Sequence, residues 1–162
     1  MNMQLRDRPG IVVFPPLIPI STIALGFVLQ WLVPLGVLAR IDQLGRIVIG
    51  AIVFAAGASL CIVARRSLVR RGTNVNPLQP TTALATEGIY RWTRNPIYVG
   101  GTVAMIGIAF VFSLDWLLLL LAPSLLVMHF CVVVREEQYL EGKFADEYRR
   151  YRSRVPRYIG SF

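Results

Sequence analysis

The sequence predicts an all-α integral membrane protein with four transmembrane helices, an interfacial loop and a C-terminal amphipathic helix. Three observations carry that prediction. The 162 residues are 55% hydrophobic with a mean hydropathy of +0.57, too apolar for a soluble domain whose surface must carry charge. Four stretches, 17–39, 47–64, 96–114 and 116–134, contain no Asp, Glu, Lys or Arg and run to 23, 18, 19 and 19 residues. A helix rises ~1.5 Å per residue, so each spans roughly 27–35 Å, the thickness of a bilayer core. The basic residues, finally, are segregated along the chain. Fifteen of the 17 Lys and Arg fall in the N-terminus (Arg6, Arg8), the segment 65–95 and the tail after residue 134, while only Arg40 and Arg46 flank the first turn. Four spans place those three regions on one side, and the positive-inside rule makes that side, with both termini, cytoplasmic.

The length allows one domain, 1–162. The net charge of +8 is explained by this asymmetry and by attraction to anionic headgroups, so no nucleic-acid partner is expected; the bilayer itself is. Pro15, Pro16 and Pro19, without a small-x-small cleavage site, argue against a cleaved signal peptide. Oligomeric state is not legible.

In chain order, residues 1–16 are a polar, Pro-rich lead-in. Spans one and two form a hairpin through Arg40–Gly45, with Pro19 and Pro34 near the ends of span one, where they break or bend a helix. Span two carries Ala51, Ala55 and Ala58 at helical spacing, which predicts a small-residue packing face. The cytoplasmic loop 65–95 is long for a connection and ends in an aromatic run through Tyr90 and Trp92, suited to the headgroup region. Asn95-Pro96 reads as a helix start, Asn as N-cap and Pro at the first helical position. Gly100, Ala104 and Gly107 give span three a small face. Ser113-Leu114-Asp115 makes a tight turn, and span four returns to exit through Arg135-Glu136-Glu137. In the tail, 135–158, Leu140, Phe144, Tyr148, Tyr151 and Val155 form one apolar stripe, the mark of an amphipathic helix that ends at Pro156.

Spans three and four form a short hairpin of equal arms, so Tyr98 and Glu136 stand at the same depth, opposite one another. Ionisable groups at the lip of a membrane bundle point to a site. Cys61 and Cys131 lack metal or disulfide spacing and read as packing residues, and no metal site is expected. His129 lies seven residues before Glu136 and reads as a hydrogen-bonded packing residue.

Three motifs then combine. Arg94-Asn95-Pro96-Ile97-Tyr98-Val99-Gly100, the Arg135-Glu136-Glu137 exit, and Phe144-x-x-Glu147-Tyr148-x-x-Tyr151 running on to Val155-Pro156-Arg157 resemble the isoprenylcysteine carboxyl methyltransferase and phospholipid methyltransferase family. The stretches Arg71–Pro77 and Thr86–Arg91 resemble those preceding the motif in bacterial members, so the likeness covers residues 70–158. It implies a bacterial inner-membrane enzyme that transfers a methyl group from S-adenosylmethionine to a lipophilic or lipidated acceptor entering from the bilayer. It also implies a cofactor site of Tyr90, Arg94, Asn95, Pro96, Tyr98, Gly100, Glu136 and Glu137. Within that site the glutamates suit the cofactor's ammonium, and Arg94 or helix-start N–H groups suit its carboxylate. Tyr90, Tyr98 or Trp92 suits the adenine or the sulfonium. Asn95 departs from the family, whose commonest residue there is His; an amide does not titrate near neutral pH, so a base at that position is not expected. No catalytic residue is assigned. A carboxylate acceptor, which attacks already ionised, fits best. Two other readings remain: an NADPH-dependent membrane reductase resembling the sterol reductases, and a non-catalytic membrane scaffold of the same fold.

Overall fold

The computed structural model describes residues 9–76 and 78–160; Arg6, Arg8 and Pro77, read above from the sequence, lie outside them. The described residues form helices and turns with no strand. Helices α1 (Leu17–Leu32), α2 (Gln43–Arg70), α3 (Pro96–Phe112), α4 (Asp115–Met128) and α5 (Val134–Arg152) follow in order, with short 3₁₀ turns at Leu38–Arg40 and Gly88–Arg91. A π-helical segment, His129–Val133, joins α4 to α5, so Asp115–Arg152 is one helical run of 38 residues. This run and α2 are long and apolar enough to cross a membrane, and only 17% of each apolar window is buried inside the fold. Helices α1 and α3 are shorter apolar elements.

The helix ends shift from the predicted spans for local reasons. Helix α1 stops at Leu32 rather than reaching Ala39, because Pro34 disfavours helical geometry in the residue before it. Helix α2 begins earlier, at Gln43, capped by Asp42, whose Oδ2 accepts from the Gly45 N–H at 2.8 Å, and it runs on to Arg70. Arginines end an apolar span without ending a helix, since their helix propensity is high. The predicted side-chain cap at Asn95 is corrected: Asn95 occupies the N-cap position, but its side chain does not cap α3.

The strongest pairing is α2 along α3, with α1 along α4. Glycines set the first. A methyl on Gly57 would sit 2.5 Å from the Gly100 carbonyl oxygen, and one on Gly107 would sit 2.7 Å from the Gly50 carbonyl. Ala51 and Ala55, predicted to form this face, are exposed instead; the close approach needs the bare backbone of Gly50 and Gly57. Gly100, Ala104 and Gly107 supply the matching face of α3, as predicted.

At the far end the chain turns through Ser113 in the left-handed region (φ 57°). Buried Asp115 accepts from the Val37 and Leu38 N–H groups at 3.1 and 2.8 Å and from Gln30 at 3.3 Å, tying down the irregular segment after α1. Arg46 Nη1 donates to the terminal carbonyls of α3, Phe110 at 2.6 Å and Val111 at 3.1 Å. The opposite end, where the charged residues gather, carries the site.

Candidate functional site

The α3–α4 hairpin does what its equal arms predict. The Tyr98 hydroxyl meets the Glu136 carboxylate at 2.8 and 3.0 Å. Tyr98 is Glu136's one hydrogen-bond partner among the described residues. Glu137, the next residue, turns elsewhere and is fully engaged. Arg157 donates to it through Nε at 3.0 Å and Nη2 at 2.8 Å, a bidentate pair, and Arg94 Nη1 lies 3.3 Å away. Both Arg94 and Glu137 are buried, their side chains 9% and 8% exposed, and Arg94 Nη1 also reaches the Tyr148 hydroxyl at 3.4 Å. One polar atom is left over: Arg94 Nε is buried without a hydrogen-bond partner. The paired glutamates therefore have different surroundings, one locked between arginines and one held only by a phenol.

The loop and the tail close around this hairpin. Thr73 Oγ1 accepts from the Thr82 and Ala83 N–H groups and Thr82 Oγ1 donates to the Gly72 carbonyl, joining residues 72–73 to 82–83. The tail stripe packs as its spacing predicts: Tyr148, Tyr151 and Val155 form a buried cluster with Leu84, Leu140 and Phe144, although α5 is kinked at Ala145 (φ 42°). The Tyr151 hydroxyl donates to the Tyr90 carbonyl at 2.8 Å, fastening the tail to the loop. The N-terminal segment joins from the other side. The Val12 N–H donates to the Cys131 carbonyl at 3.1 Å, inside the π segment, where the wider turn loosens the helix's own pairing. Arg135 donates to the Gly10 carbonyl at 3.2 Å.

Together these elements enclose a cavity of about 410 Å³, within the range of small-molecule sites. One end holds Arg94, Tyr98, Glu136 and Tyr148, roofed by Thr73–Val75 of the loop. The other descends between α1, α3 and α4 to Met105, Leu121 and Leu125, past Pro16 and Pro19. From Asn95 to Met105 along α3 it covers ten residues, roughly 15 Å.

Seven of the eight candidate residues line this cavity: Tyr90, Arg94, Asn95, Pro96, Tyr98, Glu136 and Glu137. Gly100 does not. It faces α2, where a methyl would sit 2.8 Å from both Cys61 Sγ and the Gly57 carbonyl; its neighbour Gly101 lines the cavity instead. Trp92 is 77% exposed and points away from it. Cys61 borders the cavity, its thiol donating to the Ile97 carbonyl at 3.3 Å. His129 Nδ1 lies 3.0 Å from the Tyr158 hydroxyl, the hydrogen-bonded setting expected of it. The sequence reading missed Thr93, Tyr148, Tyr151 and Arg157 as parts of the site. Tyr148 and Tyr151 stand in the apolar stripe, but nothing in the spacing aims Arg157 back at Glu137.

The electrostatics follow from the enclosure. Glu136 lies just beyond the apolar stretch 116–134, and its pKa is raised to about 7. Desolvation is the main cause, opposed by the Tyr98 hydrogen bond and reinforced by the charge of Glu137. Burial and the negative charge of Glu136 also raise the Tyr90 phenol. Burial, then the charge of Glu137, pushes Tyr148 up to about 12. The Glu137 hydrogen bonds hold Arg157 above its ordinary value. Burial thus brings the charge change of Glu136 close to neutral pH.

Comparison with known proteins extends the likeness toward the N-terminus. Residues 45–147, from the start of α2 to beyond the paired glutamates, match the phospholipid methyltransferase family. An uncharacterized protein of Haemophilus influenzae is 47% identical over 47 residues, covering 29% of this chain and 71% of that protein. No solved structure matches. With nearly two-thirds of its length matched, the α3 wall of the cavity and the paired glutamates included, the chain belongs to the phospholipid methyltransferase family, the group that also contains the isoprenylcysteine carboxyl methyltransferases.

Proposed function

We propose that the protein is a membrane-embedded, S-adenosylmethionine-dependent methyltransferase acting on a lipophilic acceptor, a carboxylate in the best-fitting case. The observation that carries this reading is the two-ended cavity. Glu136 and Arg94 stand at one end, and an apolar arm lined by Met105, Leu121 and Leu125 runs into the bundle at the other. Membership of the methyltransferase family supports the reaction class. The outward apolar faces of α2 and of the run Asp115–Arg152 support embedding in a bilayer, with the charged end cytoplasmic. Residues 115–135 of that run already measure roughly 31 Å, the thickness of a bilayer core, so its Glu136–Arg152 portion lies outside.

The residues present fit the cofactor. Glu136 is free to receive an ammonium, and Arg94 Nε, buried and unpartnered, is a donor for a carboxylate. Tyr90 and Tyr98 present aromatic surface, and Pro96 and Asn95 complete the wall. When bound, S-adenosylmethionine supplies a methyl group on a positively charged sulfur, open to displacement by a nucleophile. What the chain contributes is alignment and the exclusion of water: Thr73–Val75 and the tail tyrosines line the polar end. Asn95 does not titrate near neutral pH, and a carboxylate acceptor needs no base. The apolar arm suits an acceptor that already resides in lipid.

The test is transfer of radiolabelled methyl from S-adenosylmethionine to membrane lipid extract by purified protein. Label in the organic phase that alkali releases as methanol marks a methyl ester and is the expected result. Label confined to water-soluble products contradicts the lipophilic acceptor, and alkali-stable label contradicts the carboxylate.

A further inference from the structure

Asn95 sits where the chain could have used a titratable side chain, and its own contacts show what it does. Its Nδ2 donates to the Arg157 carbonyl at 3.0 Å. Thr93 Oγ1 donates to that same carbonyl at 3.0 Å, and the Arg94 N–H donates to the Pro156 carbonyl at 2.9 Å. The Arg157 guanidinium, in turn, grips both oxygens of Glu137, the carboxylate that Arg94 also meets. Residues 93–95 and 156–157 are thus stapled by three bonds to two successive carbonyls, then locked through buried Glu137, which meets both Arg157 and Arg94. Every link leads to Arg94, the guanidinium at the polar end of the cavity.

We propose that Asn95 and Glu137 are positioning residues: they fasten the C-terminal segment at Arg157 and so hold Arg94 and its neighbours in place, leaving Glu136 as the carboxylate that meets a cationic ligand. The requirement at position 95 is an N–H donor directed at the Arg157 carbonyl, with no proton to give or take. A neutral imidazole can supply that donor; a methyl or a carboxylate cannot. The functional part of this inference rests on the methyltransferase reading above, while the staple itself concerns this chain's own residues.

Thr93 separates positioning from direct contact. It serves the same carbonyl as Asn95 but does not line the cavity. The experiment compares wild type, Asn95→Ala, Asn95→Asp, Asn95→His and Thr93→Val in detergent. It reads hydrogen exchange at Arg94 and across 154–160 without ligand, then S-adenosylhomocysteine affinity by calorimetry. Loss of one such hydrogen bond accelerates exchange at Arg94 about fivefold. We expect that increase in Asn95→Ala and Thr93→Val, a larger one in Asn95→Asp, and recovery to within about twofold in Asn95→His. Affinity falls in parallel with exchange in all four. Exchange unchanged in both Asn95→Ala and Thr93→Val overturns the staple, whatever the ligand does. Affinity lost in Asn95→Ala but untouched in Thr93→Val makes Asn95 a direct ligand and overturns the positioning role. If wild type binds no S-adenosylhomocysteine, the methyltransferase reading fails and the exchange results still decide the staple.

Discussion

The role proposed for Glu136 makes ligand affinity depend on pH. Its pKa is raised to about 7 from 4.5, mainly by desolvation. The sign follows directly. Below the raised value the folded protein keeps a proton on Glu136 that an unfolded chain has already released, so this group's contribution to stability falls as pH rises from 4.5 through about 7. A cationic ligand reverses the preference, because it needs the carboxylate. With the competent, ionised form near one tenth of the population at about pH 6 and nine tenths at about pH 8, apparent affinity rises about tenfold across that range. Binding at about pH 6 therefore releases close to one proton, countable by calorimetry in buffers of different ionisation enthalpy. Glu136→Gln removes the charge-assisted bond, a loss of roughly 1.5–3 kcal/mol, or about 10- to 150-fold in affinity. It also removes the pH slope, and comparison with wild type subtracts any titration of the ligand itself. Equal slopes in wild type and Glu136→Gln would refute the assignment of Glu136 as the ligand's counter-charge.

The same geometry sets the outcome of four further substitutions. Tyr98→Phe deletes the hydrogen bonds at 2.8 and 3.0 Å that favour ionised Glu136, so the midpoint of the affinity–pH curve moves upward and binding at neutral pH weakens. Gly57→Ala forces a methyl against the Gly100 carbonyl and lowers stability in detergent by roughly 1–3 kcal/mol. Gly142→Ala, in a helix with open space around it, raises stability by about 0.5–1 kcal/mol; thermal unfolding of the two side by side reads the contrast. Asp115→Ala leaves the Val37 and Leu38 N–H groups without their acceptor, which costs about 1–3 kcal/mol for each group that stays buried. Hydrogen exchange at those two amides locates the loss.

Much of the architecture was legible because it follows from patterns that repeat along the chain. Charge-free stretches of 18 residues or more marked the apolar elements, and the equal arms of the α3–α4 hairpin brought Tyr98 to Glu136. The stripe from Leu140 to Val155 packs as its spacing requires. What escaped depends on rotation and on distant partners. Ala51, Ala55 and Ala58 make as good a small-residue face on paper as Gly50 and Gly57, and only the partner helix shows which side closes. Gly100 and Gly101 differ by one residue and about 100° of helix, enough to send one into α2 and the other into the cavity. Asn95 has the right residue type for a cap, yet a carbonyl 62 positions away takes its amide. Arg157 and Glu137 likewise carry no mutual signal in sequence, although their pairing decides which glutamate is left free.

Whether the polar end of this cavity holds S-adenosylmethionine is read by calorimetry with S-adenosylhomocysteine on detergent-purified wild type. Saturable one-site binding of S-adenosylhomocysteine is expected, weakened at least about tenfold by Glu136→Gln, with no stabilisation by NADPH. A folded protein that ignores S-adenosylhomocysteine but is stabilised by NADPH would contradict this expectation and return the reductase reading.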